Sequence, residues 1–189
     1  MPGPADSSLR LIMPAAGCAG HPSRSSALEE EVTRLFDQLR NPVLRYVLSI
    51  GLSPHDGEEV IQEVFLSLFQ HLRQGKSRQN LRGWIFRVAH NLALKRRCGQ
   101  GLAVTTDSET AARQLDPDLN PEEALAAKQR RERLLAVVRV LPQQDRWCLH
   151  LHAEGLRYRE IAEVLGMSLG AVSISLARSL QRLTRADGG

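Results

Sequence analysis

The sequence predicts an all-α fold of two small helical domains joined by a flexible linker. Two observations concern periodicity: apolar residues recur at helical spacing in two separate stretches, and residues 99–121 between them lack it. That intervening stretch is rich in Gly, Thr, Ser, Asp and Pro, as linkers are. The third observation is that aromatic residues make up only 4% of the 189 residues, which argues against a β-sandwich and favours small aliphatic helical cores.

Composition excludes several classes of protein. Residues 1–27 are rich in Pro, Ser, Gly and Ala and predict a flexible tail. Residues 11–18 (LIMPAAGC) have some features of a lipoprotein signal, but Asp6 lies where a basic leader belongs and Pro14 interrupts the apolar stretch. No apolar run reaches the roughly 18 residues that a membrane span needs, and the three cysteines form no disulfide framework. We therefore expect a cytoplasmic protein.

The formal net charge is +4, but acidic and basic residues are concentrated in separate blocks along the chain. Residues 28–63 carry eight acidic side chains, whereas residues 64–106 carry eight basic side chains and no acid. The sign reverses in residues 107–123, and acids are absent again between Glu163 and Asp187. Two acid-free basic segments predict two separate contacts with a polyanion, the alternative being a solvated basic surface without a partner.

The first stretch predicts three helical segments. Apolar residues from Val32 to Val47 indicate one amphipathic helix or two. Ser53 and Pro54 then begin a helix with a wide apolar face. That face comprises Val60, Ile61, Val64, Phe65, Leu68, Phe69 and Leu72. Acidic and amide side chains lie on or beside the opposite face, which is either solvated or docked on a basic partner; they are Asp56, Glu59, Gln62 and Glu63.

A basic loop at residues 73–81 leads into the next helix. Its predicted buried stripe is Leu81, Ile85, Val88 and Leu92, and its predicted exposed residues are Arg87, Asn91 and Lys95. Trp84 and Phe86 stand close to the loop. Aromatic side chains among Arg and Asn are typical of surfaces that bind single-stranded nucleic acid, although composition alone favours the core for Trp84 over a stacking surface.

The second stretch ends in a predicted helix-turn-helix at residues 158–185, in which Gly166 permits the turn and Ser168 caps the second helix. A helical wheel divides that second helix into two faces. The predicted buried face comprises Leu169, Val172, Leu176, Leu180 and Leu183. The predicted exposed face comprises Ala171, Ile174, Ser175, Arg178, Arg182 and Arg185, a pattern typical of a recognition helix in the major groove. A plain helical corner without DNA is the alternative.

The sequence gives no indication of catalysis. Cys148, His150 and His152 are spaced by two residues, which sends them to different faces of a helix, so we expect no metal site. Phosphate-binding loops and nucleophile motifs are absent from the sequence. We expect no enzyme activity and no cofactor.

Three segments together resemble the sigma-70 family of bacterial RNA polymerase sigma factors, in its extracytoplasmic-function group. They are residues 57–69 (GEEVIQEVFLSLF), residues 81–97 (LRGWIFRVAHNLALKRR), and residues 141–178, which begin LP and end EGLRYREIAEVLGMSLGAVSISLAR. They match the family's regions two and four in order, with no region three. The resemblance implies a region 2-like domain at 28–98, an acidic linker at 99–121 and a region 4-like domain at 122–186.

The resemblance also implies three groups of site residues and their partners. Contacts with core RNA polymerase would come from Asp56, Glu59, Gln62, Glu63 and Phe65. Contacts with the melted −10 element of promoter DNA would come from Arg78, Asn80, Arg82, Trp84, Arg87, Asn91 and Lys95. Contacts with the −35 element would come from Ser173, Ile174, Ser175, Arg178 and Arg182. The family usually has Lys or Arg where Ser173 and Ser175 stand. An anti-sigma factor is a further expected partner.

Two other functions fit the same residues. One is a free-standing helix-turn-helix transcriptional regulator that binds duplex DNA without polymerase, with the first domain mediating dimerisation. The other is a helical adaptor that binds only proteins.

Overall fold

The computed structural model describes residues 24–99 and 120–188, which form seven helices and no strand. The first unit contains α1 (Arg24–Ser49), α2 (Pro54–Arg73) and α3 (Leu81–Gly99). The second contains α4 (Pro121–Arg139), α5 (Gln143–Ala153), α6 (Tyr158–Leu165) and α7 (Leu169–Asp187). The all-α fold class is confirmed. Most of the predicted tail and linker lies outside the described residues, so the predicted domain boundaries remain a prediction.

Local signals explain where the helices of the first unit begin. The α1 helix is a single helix that continues through Pro42. At the start of α2 the Ser53 hydroxyl accepts the Asp56 N–H at 3.1 Å, and Pro54 occupies the first turn. At the start of α3 the Asn80 Oδ1 accepts the Gly83 N–H at 3.1 Å. Asn80 adopts a positive φ of 52°, a conformation that asparagine tolerates better than most residues.

The core of the first unit is mainly aliphatic, and the predicted buried face of α3 is confirmed only in part. Fully buried side chains come from all three helices, among them Val43, Val47, Val60, Val64, Leu68, Ile85, Phe86, Ala89 and Ala93. In the predicted stripe of α3, Ile85 is fully buried, and Leu81, Val88 and Leu92 are half-buried and pack against the core. The buried face of α3 is wider and rotated because this helix packs against α1 and α2 on one side and α6 on another.

The second unit contains the predicted helix-turn-helix. The axes of α6 and α7 meet at 107°. Gly166 ends α6 in the left-handed conformation (φ 65°), and the following Met167 N–H donates to the Ala162 carbonyl at 3.0 Å. The Ser168 hydroxyl accepts the Ala171 N–H at 3.2 Å and so caps α7. The turn and both capping residues follow the sequence prediction.

The predicted burial of α7 was wrong at several positions. Ser175 is 3% exposed and Ser179 is fully buried, whereas Leu169 is 51% exposed and Leu180 is 41% exposed. The buried face of α7 is therefore rotated about the helix axis relative to the face that hydropathy alone predicts. The reason is that α7 packs along α5, where a buried carboxylate accepts a hydrogen bond from the Ser175 hydroxyl.

The two units pack against each other through one continuous core. At the junction the hydroxyl of Tyr46 lies 2.8 Å from Nδ1 of His90, and the Tyr46 ring meets the ring of His150 at a centroid distance of 5.5 Å. The Trp147 ring stands edge-on to His90 at 5.0 Å. Tyr46 is fully buried and His90 nearly so. These contacts join α1 and α3 of the first unit to α5 of the second.

Charged groups surround this aromatic junction on one side. The Arg45 guanidinium donates to a Glu154 carboxylate oxygen at 2.8 Å, and the Arg82 guanidinium donates to the Glu154 backbone carbonyl. Nε2 of His150 lies 3.7 Å from the same carboxylate. Glu154, at the end of α5, therefore accepts hydrogen bonds from side chains of both α1 and α3.

Burial controls the protonation of the junction. It lowers the pKa of His90 to about 4 and also lowers the pKa of His150, whereas it raises the pKa of Tyr46. Both imidazole rings are therefore neutral near pH 7, and the Tyr46 hydroxyl and His90 Nδ1 share one hydrogen bond.

No single helix in the described ranges is long and apolar enough to cross a membrane, although the bent pair of α6 and α7 passes the same test of length and composition.

We expect acid to destabilise the fold through His90. An unfolded histidine titrates near 6.5, so between that pH and about 4 the unfolded chain binds a proton that the folded chain does not. The free energy of unfolding should therefore fall by about 2 kcal/mol, from His90 alone, between pH 7 and pH 5. Urea unfolding at both pH values measures it. His90→Asn, whose side-chain amide can still hydrogen-bond to Tyr46, should reduce the difference between the two pH values, whereas His55→Asn at an exposed site should not. An equal pH dependence in wild type and His90→Asn would contradict this assignment.

Candidate nucleic-acid and partner interfaces

The predicted acidic face of α2 is present and is partly paired within the chain. Gln62 and Glu63 are exposed, and Asp56 and Glu59 are half-exposed. Arg96 of α3 donates to Glu59 and lies 3.5 Å from the Glu63 carboxylate. A cationic partner at this face would therefore compete with Arg96 for the same two carboxylates. Arg96 lies 37 residues from Glu59 in the chain, so the sequence offered no signal for this pairing.

One residue assigned to that surface belongs to the core instead. Phe65 is only 6% exposed and packs edge-on against Phe36 with ring centroids 4.9 Å apart. Phe65 therefore offers little accessible surface to a partner, and its contact with core polymerase stays a prediction. The exposed apolar side chain of the same surface is Leu66, which is 59% exposed and lies one helical turn after Gln62. That i, i+4 spacing was the available signal.

The predicted exposed line of α3 is confirmed. Arg87, Asn91 and Lys95 are all exposed, and their spacing of four residues places them along one side of the helix. Phe86, by contrast, is fully buried. Trp84 is half-buried, and its ring packs on His71 with centroids 4.7 Å apart. Trp84 thus contributes to packing and to the surface together.

Other predicted −10 residues have structural partners. Arg78 of the basic loop pairs with Glu31 of α1 at 3.2 Å. Asn80 caps α3, and its side chain packs so closely on Gly83 that a Cβ there would lie 2.5 Å from Asn80 Nδ2. Arg82 reaches the second unit at Glu154, not the side of α3 that carries Arg87 and Asn91. Arg78, Asn80 and Arg82 therefore make contacts within the chain, whereas Arg87 and Asn91 lie exposed on α3. Residue type alone did not indicate this difference.

Some of the predicted −35 residues are exposed, and others have partners within the chain. Ser173, Ile174 and Arg182 are exposed on α7, with Ile174 at 66%. Ser175, predicted on this exposed face, is buried, and its hydroxyl donates to Asp145 Oδ1 at 2.7 Å. Its inward position is set by that hydrogen bond, so it is not part of the exposed surface.

Arg178 is also held by Asp145, a residue that the sequence reasoning missed. Its Nε donates to Oδ2 at 2.9 Å and its Nη2 to Oδ1 at 2.8 Å, a bidentate pair. Burial opposes ionisation of the Asp145 carboxyl, but the hydrogen bonds from Arg178 and Ser175 outweigh it, so its pKa lies below the ordinary value. Asp145 is therefore a buried carboxylate whose charge is compensated from α7.

The Cys148, His150 and His152 series does not converge. The Cys148 thiol lies 3.9 Å from the Met167 sulfur, His150 packs on Tyr46, and His152 packs on Tyr158 with ring centroids 5.6 Å apart. Among residues 24–99 and 120–188, no three His, Cys, Asp or Glu side chains are placed to hold a metal ion.

Comparison with known proteins matches both units. The family model for Sigma-70 region 2 covers residues 35–101, and that for Sigma-70 region 4 covers residues 131–183. The chain is 31% identical over 152 residues to the ECF RNA polymerase sigma factor SigE of Mycolicibacterium smegmatis, covering 79% of this chain and 58% of the relative. It is 26% identical to the probable RNA polymerase sigma factor RfaY of Xanthomonas campestris pv. campestris, covering 84% of this chain and 40% of that one.

The fold matches a solved sigma factor as well. The sigma factor RpoE of Bartonella quintana, in complex with the anti-sigma factor NepR, superposes with a TM-score of 0.59 at 14% identity. The match covers 83% of this chain and 96% of that one. The chain spans about half the length of the two curated relatives above. Because the region 2 and region 4 models both match, in order, on one chain, the chain belongs to the sigma-70 family.

Proposed function

We propose that the chain is an alternative sigma factor that binds core RNA polymerase, recognises promoter DNA and directs transcription initiation. The observation that carries this proposal is the presence, on one chain, of an acidic α2 face and two separate basic surfaces within the matched region 2 and region 4 units. An enzyme activity is not part of the proposal. The cytoplasm, where RNA polymerase works, is the proposed location.

Each surface has a distinct role in this proposal. The acidic face with Leu66 docks on a basic, partly apolar surface of the core polymerase. The α3 line of Arg87, Asn91 and Lys95 tracks the melted −10 strand, with the exposed part of Trp84 available for base stacking. Unpairing a few bases costs a few kcal/mol, which these contacts could offset without ATP. The exposed face of α7 enters the −35 major groove.

The arrangement of the free chain supports a change of domain arrangement on binding. Arg82, assigned to the −10 contact, donates to the Glu154 carbonyl of the second unit, so a −10 contact by Arg82 would replace a contact between the two units. We propose domain boundaries at 28–98 and 122–186, with a linker at 99–121. An anti-sigma partner is also proposed, since the RpoE relative was solved with one.

Charge at the α2 face should determine polymerase affinity. Glu63→Lys places a cation where we expect a basic partner, and the affinity for purified core polymerase should fall about tenfold or more. Fluorescence anisotropy of labelled protein measures it, with Glu132→Lys on exposed α4 as the matched control and thermal unfolding as the fold check. Undiminished binding of a folded Glu63→Lys variant would contradict the assigned face. Failure of wild type to bind core polymerase, with tight binding to duplex DNA alone, would favour a free-standing regulator.

The α3 line should act after polymerase binding. Replacing Arg87 and Asn91 together by Ala should leave core affinity within about twofold but reduce strand opening by about tenfold, because only contacts to the melted strand are lost. Permanganate reactivity of unpaired thymines measures the opening. Arg159→Ala, an exposed arginine on α6, is the control and should open DNA normally. Normal opening by the double variant would exclude α3 from this role.

Limited proteolysis tests the proposed domain layout. In the free protein the first cleavage should fall between residues 99 and 121, and both resulting fragments should resist further digestion while they stay packed together through the shared core. Mass spectrometry of the early products identifies the site. First cleavage within α2 would contradict the boundaries.

A further inference from the structure

We propose that Asp145 is a positioning residue for upstream promoter recognition: its carboxylate fixes the Arg178 guanidinium before DNA arrives. Arg178 then contacts the duplex as a hydrogen-bond donor whose orientation is already fixed and whose positive charge is partly neutralised by Asp145. This inference rests on the proposed function, because it assumes that the exposed face of α7 enters the −35 groove.

The side-chain hydrogen bonds of Asp145 all come from residues of α7. The carboxylate belongs to the first turn of α5, yet it accepts three hydrogen bonds from α7: one from the Ser175 hydroxyl and two from Arg178. Its side chain is 3% exposed, so water cannot replace these donors. Losing them would leave a buried charge without compensation, which is costly enough to keep the pairing formed.

Ser175 makes this arrangement possible through its size. Its short side chain reaches Oδ1 at 2.7 Å from inside the α5–α7 contact and uses one acceptor position. A long cationic side chain at 175 would compete with Arg178 for the same carboxylate. With serine there, Oδ2 and the remaining capacity of Oδ1 go to the Arg178 fork.

The consequence for Arg178 is a fixed orientation. The pair occupies Nε and Nη2, so Nη1 lies outside it, and half of the side chain remains exposed. Rotamer entropy that a free arginine would lose on DNA binding has already been lost in folding. The cost is weaker long-range attraction, since the paired guanidinium is largely neutralised. Arg182 and Arg185, also exposed on α7, are left to supply phosphate attraction.

This role predicts that Asp145 affects DNA only through Arg178. The measured quantity is the affinity of the holoenzyme, formed with the full chain, for a duplex that wild-type holoenzyme selects from a pool randomised upstream of a common −10 element. Asp145→Asn should weaken binding about tenfold, and Arg178→Ala should weaken it by a similar factor. In the Arg178→Ala background, Asp145→Asn should change affinity by less than about twofold.

Three results would overturn the assignment. An equal loss from Asp145→Asn in both backgrounds would indicate a structural role only. Tighter binding by Asp145→Asn would show that the carboxylate merely repels phosphates. If Asp145→Asn does not fold, Arg178→Lys tests the same point, because lysine keeps the charge but lacks the fork. It should bind about as weakly as Arg178→Ala, and wild-type affinity would overturn the proposal.

The function and the inference fail in different ways. If wild-type holoenzyme selects no upstream sequence, the proposed −35 contact fails and the inference fails with it. If it selects a sequence that the Asp145 variant binds equally well, the inference alone fails.

Discussion

The hydrogen bond between Tyr46 and His90 lies at the point on which both units of the chain depend. Tyr46 comes from α1 and His90 from α3, and the rings of Trp147 and His150 from α5 close over them. Each unit alone is near the size at which burial gives only marginal stability. Sharing one core enlarges the buried apolar surface of both, and the hydrogen bond satisfies two polar groups that would otherwise be buried without partners.

Charge pairing within the chain is the second constraint. Arg96 pairs with Glu59 on the acidic face, Arg78 with Glu31 beside the basic loop, Arg82 with the Glu154 carbonyl at the junction, and Arg178 with Asp145. Several of the residues assigned to partners thus already pair within the chain. Binding would then exchange one set of pairs for another, so these charges would contribute more to orientation and to choice of partner than to affinity.

The distinction between exposed and buried pairs matters in that exchange. The Arg96 and Arg78 pairs are partly exposed and contribute little to stability, so a partner can replace them at low cost. Asp145 is buried, and removing its partners would leave an uncompensated carboxylate in the core. The Arg178 pair is therefore expected to persist in the complex, unlike the pairs of the acidic face.

The sequence by itself determined the fold class, the helix-turn-helix, and the caps at Ser53 and Ser168, because helical periodicity and capping depend on neighbours within a few residues. It also determined the exposed line of Arg87, Asn91 and Lys95. Only the tertiary structure decided that Phe86 and Ser175 are buried, that Leu66 is exposed, and that Arg82 and Arg178 are held by groups in other helices. Those outcomes depend on which helix packs against which face. Asp145 illustrates the reason. Its carboxylate accepts a hydrogen bond from Ser175, 30 residues away in the chain, and so the buried face of α7 differs from the face that hydropathy predicts. The spacing of residues within α7 gives no indication of that contact.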